Sequence, residues 1–193
     1  YHGHYRQRQY FPLLAFDGET GFPLAAWLRP GTVHASTGAV DTLREIVEQV
    51  RQEWPEVTIL VRGDGGFGVP EMYEYCEREG LLYAFGYSTN NTLKRRTNDL
   101  LEETIGEFEI SGQSVQRFQS FEDYQAGSWT RPRRILAKVE VNWQCTNRRF
   151  VVTNMSGDAG GLYHGFYVKR GNVHERPIGE LKNGLGSDRL SSH

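Results

Sequence analysis

The chain has 193 residues, 38% hydrophobic and 24% charged, which is enough for one domain with a true core and too apolar for a disordered chain. A formal net charge of −2 excludes recognition of an anionic partner by the overall field, so any such partner must meet local basic patches. Cys76 and Cys145 form no metal-ligand or disulfide pattern, no apolar run reaches membrane-spanning length, and no signal peptide is visible, which predicts a cytoplasmic protein with no membrane partner. The first residue is Tyr1 rather than Met, and the chain reads as a segment of a longer protein.

Tyr1–Gln9 is polar and basic; His2 and His4 have no third ligand spaced nearby, so the stretch reads as a solvated approach to a strand. Tyr10–Phe16 and Phe22–Leu28 read as two strands joined by the turn cluster Asp17–Gly21, a hairpin with Pro12 and Pro23 near the strand starts. After the loop Arg29–Ser36, a helix is predicted over Gly38–Trp54. Val40, Leu43, Ile46, Val47, Val50 and Trp54 fall on one face, Asp41, Arg44, Glu45, Glu48 and Arg51 fall on the other, and Pro55 stops it. The unbroken apolar run Val57–Val61 predicts a strand buried on both faces. It ends in Arg62-Gly63-Asp64-Gly65-Gly66-Phe67, a carboxylate flanked by glycines that free the backbone to turn. An acid at the carboxyl end of a central strand is where open α/β sheets place their sites. The plainer reading, of equal weight, is a turn aspartate that caps the next helix. That helix is predicted over Val69–Glu79, with Pro70 in its first turn and Gly80 as its stop, and Leu81–Tyr87 reads as the following strand. The order gives a mixed sheet flanked by helices.

From Ser88 the character changes. Asn90–Glu103, with Lys94, Arg95 and Arg96, reads as a helix. Strands are then predicted at Gly106–Ile110, Val115–Phe121, Arg134–Trp143 and Arg148–Asn154, the third with a clear period of two. Arg131, Arg133, Arg134, Lys138, Arg148 and Arg149, with Trp129 and Trp143 among them, make this the most basic region. Basic residues interleaved with aromatics suit a nucleic-acid surface, although the exposed face of an antiparallel sheet explains them as well. Near the end, Tyr167, Arg170, Glu175 and Lys182 stand out. If that stretch is helical, Glu175, Ile178 and Lys182 share one stripe, which a surface ion pair also accounts for; Pro177 and Gly179 weaken the helix.

Three passages together resemble the DDE-type transposases of bacterial insertion sequences, in the branch that carries a β-strand insertion before the glutamate helix. Asp64-Gly65-Gly66-Phe67 matches the family's D-x-G-F step. Arg149–Asn154 matches the strand before the last catalytic segment. Tyr167-x-x-Arg170 followed by Glu175-x6-Lys182 resembles the Y-x2-R…E-x6-K signature. The resemblance spans nearly the whole chain and implies an α/β, ribonuclease H-like mixed sheet flanked by helices. Its core is expected in residues 1–87 and 161–193, with a β-rich basic insertion at 88–160. It implies three metal-binding carboxylates, of which Asp64 is the second and Glu175 the third. The first is expected on a strand preceding Tyr1, and Asp17, in its hairpin turn, is not a substitute. Counting from Arg170 lands on His174 and counting back from Lys182 lands on Glu175; a hard cation prefers the carboxylate, with Glu180 in reserve.

The implied chemistry is DNA strand cleavage and strand transfer with Mg2+, for which Mn2+ substitutes. Two such ions about 4 Å apart serve both the attacking and the leaving oxygen. Asp64 and Glu175 are the expected catalytic and metal-binding residues. Tyr167, Arg170 and Lys182 are expected at phosphates near the cut, and Arg133, Arg134, Arg148 and Arg149 on the DNA backbone. The partners implied are transposon-end and target DNA, bound as a homodimer, in a bacterial cytoplasm at the nucleoid. A catalytically incomplete DNA-binding remnant and a different ribonuclease H-like nuclease are the competing readings.

Overall fold

Residues 10–169 are described by a computed structural model. They belong to two compact units, one within residues 1–59 and 169–193, the other spanning Leu60–Val168.

In the first unit, β1 (Leu13–Phe16) pairs antiparallel with β2 (Pro23–Trp27). Asp17 closes the turn: its Oδ1 accepts the Thr20 amide at 2.7 Å and its carbonyl accepts the Gly21 amide at 3.0 Å. Bonds from the Thr20 hydroxyl and amide hold the Asp17 carboxyl below the ordinary range, as suits a turn residue. Helix α1 (Ala39–Glu53) follows, with Ala39, Thr42 and Val47 buried. Of the predicted stripe, Val47 is buried, Val40, Leu43, Ile46 and Val50 are half-buried, and Trp54, just past the helix end, is 64% exposed. Gly38 precedes it at φ 74°, a left-handed conformation that glycine adopts without strain.

The second unit holds a mixed five-stranded sheet in the order β3-β4-β7-β6-β5. Its elements are β3 (Leu60–Gly63), α2 (Pro70–Arg78), β4 (Leu82–Tyr87), α3 (Asn91–Arg96), α4 (Asn98–Ser111), β5 (Val115–Tyr124), β6 (Arg133–Val141), β7 (Thr146–Thr153) and α5 (Ala159–Leu162), which runs into a π-helical turn at Tyr163–Tyr167. Only β3 and β4 run parallel; β4 is joined to β7 antiparallel, so β5–β7 continue the sheet that β3 and β4 begin. One face carries a tyrosine-rich core: Tyr73, Tyr83, Phe85 and Trp129 are buried and packed ring to ring. There burial pushes the Cys76 thiol up to about 12, which makes it an inert core residue. The other face carries Ala84, Leu136 and Val151, covered by Ala159, Tyr163 and Tyr167. This mixed α/β sheet flanked by helices is the expected fold class.

Two expectations are corrected. Gly106–Ile110 is the last part of helix α4, which ends at Gly112 in the left-handed conformation (φ 64°). Five alternating residues carry too little period to separate strand from helix, and the helix pattern upstream extends through them. The run Val57–Val61 does not form a strand buried on both faces: regular pairing begins at Leu60, and β3 is an edge strand of its unit with β4 as its neighbour. Val57 and Leu60 are 43% and 45% exposed.

Candidate active site

The site is built where β3 ends. The chain leaves Gly63 and turns at Asp64: the Phe67 amide donates to the Asp64 carbonyl at 3.1 Å, and the Gly66 amide donates to Asp64 Oδ1 at 2.8 Å. This is an Asx turn, which fixes the carboxylate's direction. Asp64 does not cap α2, whose N-cap is Val69 with no side-chain bond. Asp64 is exposed, and its Oδ2 has no partner among the described residues.

The glycines of this turn make room for β4. A Cβ placed on Gly68 would lie 2.3 Å from the Gly86 carbonyl oxygen. A Cβ on Gly86 would lie 2.7 Å from the Gly65 nitrogen, 2.7 Å from the Tyr167 hydroxyl and 3.1 Å from the Asp64 carbonyl carbon. Main chain therefore rests on main chain at Gly86, and the Tyr167 hydroxyl reaches the same point as the Asp64 turn. Tyr167 itself is buried in the cluster of Ala84, Leu136, Val151 and Tyr163. From the strand side, Arg62 Nη1 donates to the Phe166 carbonyl at 3.0 Å.

The four arginines expected on DNA fall into different surroundings. Gly86 pairs with Val151, and Arg149 lies two residues along β7, opposite Lys138; Arg149 thus shares the face of Gly86 and Tyr167, at the Asp64 end of the sheet. It is exposed and makes no hydrogen bond or ion pair among the described residues. Beside it, Lys138 bonds Glu140 at 2.9 Å and lies 5.5 Å above the Tyr163 ring. Arg148 points to the opposite face, where it bonds the Lys94 carbonyl, Thr97 Oγ1 and Asn98 Oδ1. Arg133 is buried between the Tyr73 and Trp129 rings and grips Glu77 with two bonds of 2.8 Å. Arg134 bonds the Met155 and Gly157 carbonyls, each at 2.7 Å, and pairs with Glu122.

Arg133, Arg134, Glu77 and Asn154 line a cavity of about 690 Å3 at the other end of the strands from Asp64. Burial raises the Glu77 carboxyl, but bonds from Arg133, Arg131 and Tyr83 outweigh it and hold the group below the ordinary range. The charges that line it are already paired within the chain, Arg133 and Arg131 with Glu77 and Arg134 with Glu122. Arg62, Phe166 and Gly86 went unassigned in the sequence. The one signal was a charge, Arg62, interrupting an apolar strand, because its partner lies 104 residues away.

Arg170, Glu175, Glu180 and Lys182 lie outside the described residues. Among the described residues no three His, Cys, Asp or Glu side chains converge as a metal site; Asp64 supplies one hard oxygen with an unengaged partner atom, the donor type that Mg2+ takes. No helix among them is long and apolar enough to cross a membrane. Neither a curated protein nor a solved structure matches the chain. The family model described as Transposase DDE domain group 1 matches residues 1–193, and the chain accordingly belongs to the DDE-type transposases, as a transposase catalytic domain that acts on DNA.

Proposed function

We propose that the chain cuts DNA at transposon ends and transfers the freed strand to target DNA by in-line phosphoryl transfer, with Asp64 and Glu175 as its metal-holding carboxylates. The observation that carries this reading is the meeting, at Gly86, of the Asp64 turn and Tyr167. Two motifs a hundred positions apart in the chain are held against one glycine, with an exposed carboxylate beside them.

Mg2+, or Mn2+ in its place, held by Asp64 and Glu175, would polarise the scissile phosphodiester and ease deprotonation of the attacking hydroxyl. The chain's own part is to place the strand. The Asx turn holds the Asp64 carboxylate rigid beside Tyr167, whose proposed role is a phosphate contact. Arg149 extends the anchorage along the same face as a bidentate phosphate contact, and Arg170 and Lys182 add further phosphate contacts. Such contacts fix register without reading bases. Residues 88–160 would be the insertion that contributes this basic face. Two copies of the chain on one DNA are the proposed working assembly. The structural bonds of Arg133, Arg134 and Arg148 argue for Arg149 as the main DNA contact of the four.

The test is Asp64→Ala in the full protein with DNA carrying the ends of the encoding element. Mg2+-dependent cleavage should fall by about a thousandfold or more, the size of effect seen when transition-state charge stabilisation is removed. Binding to the same DNA should stay within about threefold. Wild-type cleavage would refute the role of Asp64. DNA binding without cleavage by the unaltered protein would identify a remnant, and cleavage without joining a nuclease.

A further inference from the structure

We propose that Arg62 is a positioning residue of the candidate site, fastening the segment that carries Tyr167 to the strand that ends at Asp64; the inference rests on the function proposed above. Arg62 lies two residues before Asp64 and faces the side of the sheet where Ala84, its partner in register, packs against the Tyr163–Tyr167 segment. Its Nη1 donates to the Phe166 carbonyl at 3.0 Å, and its guanidinium carbon sits 5.5 Å above the Phe166 ring centre. A bond to the main chain sets the height of the segment, and a flat ion on a flat ring sets its rotation.

The segment has need of such a clamp. Tyr163–Tyr167 is π-helical, with the Val168 amide bonded to the Tyr163 carbonyl at 2.9 Å, a turn type that is rarely stable by itself and is concentrated at functional sites. Gly160 and Gly161, in α5 just before it, carry no side chains to brace its start, while Tyr163 and Tyr167 pack on the sheet. Its working end allows no slack, because the Tyr167 hydroxyl stands 2.7 Å from where a Gly86 Cβ would be. Misplacing a reacting group by about 1 Å can cost on the order of a hundredfold in rate. Arg62 stands two residues before Asp64 and its partner Phe166 one residue before Tyr167, so the contact between them ties the two elements together.

The test uses the full protein, Mg2+ and a supercoiled plasmid carrying the ends of the encoding element. Arg62→Gln should lower kcat for nicking by about tenfold or more while KM for DNA stays within about threefold. Arg62→Lys, which reaches the carbonyl but offers no plane, should recover part of the loss. In the protein free of DNA and metal, amide exchange at Phe166–Val168 should quicken by about tenfold in Arg62→Gln. Should that variant fail to fold, Phe166→Leu, which keeps the carbonyl and removes the ring, must show a smaller loss of kcat in the same direction. A wild-type kcat in folded Arg62→Gln, or in Phe166→Leu, overturns the proposal, as does an effect confined to KM, which would make Arg62 a DNA contact. Asp64→Asn serves as the parallel control. Full nicking by that variant defeats the proposed function itself, whereas its inactivity beside a fully active Arg62→Gln defeats the clamp alone.

Discussion

Two carboxylates at opposite ends of the five-stranded sheet have opposite surroundings. Glu77 is enclosed: Arg133 holds both its oxygens, Arg131 pairs with it at 2.6 Å, and the Tyr83 hydroxyl donates to it at 2.9 Å. Asp64 is exposed, fixed by one amide bond at one oxygen and left open at the other. A buried charge must be answered by counter-charge and hydrogen bonds from within the protein. A carboxylate that is rigid, solvent-facing and half-satisfied is left able to take a ligand from outside. The difference separates a structural acid from a candidate functional one.

The comparison breaks most visibly at Glu77. Glu77→Ala strands Arg133 between Tyr73 and Trp129 and should cost about 3–5 kcal/mol of stability, as loss of one partner of a buried pair does. Asp64→Ala should leave the denaturation midpoint nearly unmoved; equal losses in urea unfolding of the two variants would erase the distinction. The pH dependence sharpens it. The Glu77 carboxyl is held below its ordinary value of 4.5 in the folded chain, so the unfolded chain takes up the proton first. Its contribution is complete above that value and is lost as pH falls through the depressed folded value. Thermal melts of Glu77→Gln across this range should show a flatter acid limb than the wild type.

Next in size is Gly86→Ala. Its new methyl would meet the Gly65 nitrogen and the Tyr167 hydroxyl at 2.7 Å each, and should cost about 1–3 kcal/mol, as overpacking does. It should also cut cleavage more than DNA binding, measured side by side. Gly106→Ala, where an added Cβ meets nothing within 4 Å, is the control that should not destabilise.

The smallest effects separate two neighbours. Arg149→Ala should weaken DNA binding by about threefold to tenfold and lower the salt slope by about one, with no loss of stability. Arg148→Ala should instead lower stability by about 1–2 kcal/mol, since it leaves the Lys94 carbonyl, Thr97 and Asn98 without their donor. Salt titrations and unfolding curves that ranked the two residues the other way round would reverse their assignment.

Much of the fold was legible because it is written in local periods. The hairpin, α1, α2 and strands β4 to β7 follow from apolar spacing and from Pro70, Gly80 and Pro55 as punctuation. Gly106–Ile110 was misread because a short alternating run satisfies either period. The candidate site was legible as residue types at strand and segment ends, Asp64 and Tyr167 among them. Its assembly was not: the Arg62–Phe166 bond and the close approach at Gly86 join residues far apart in the chain, and no local pattern encodes them. Nor does a count of positive charge show that adjacent arginines, 133 beside 134 or 148 beside 149, point to opposite faces of one sheet and serve different ends.

The π-helical turn at Tyr163–Tyr167 has a consequence for how this chain tolerates change in length. Its bonds close from residue i to i+5, one residue more than in an α-helix, so losing one residue in this turn would return it to α-helical closure and turn Tyr167 about the axis. Tyr167 would leave Gly86. A single-codon deletion here would act like a phase error in a gear train, leaving every tooth whole and the shafts no longer meshing.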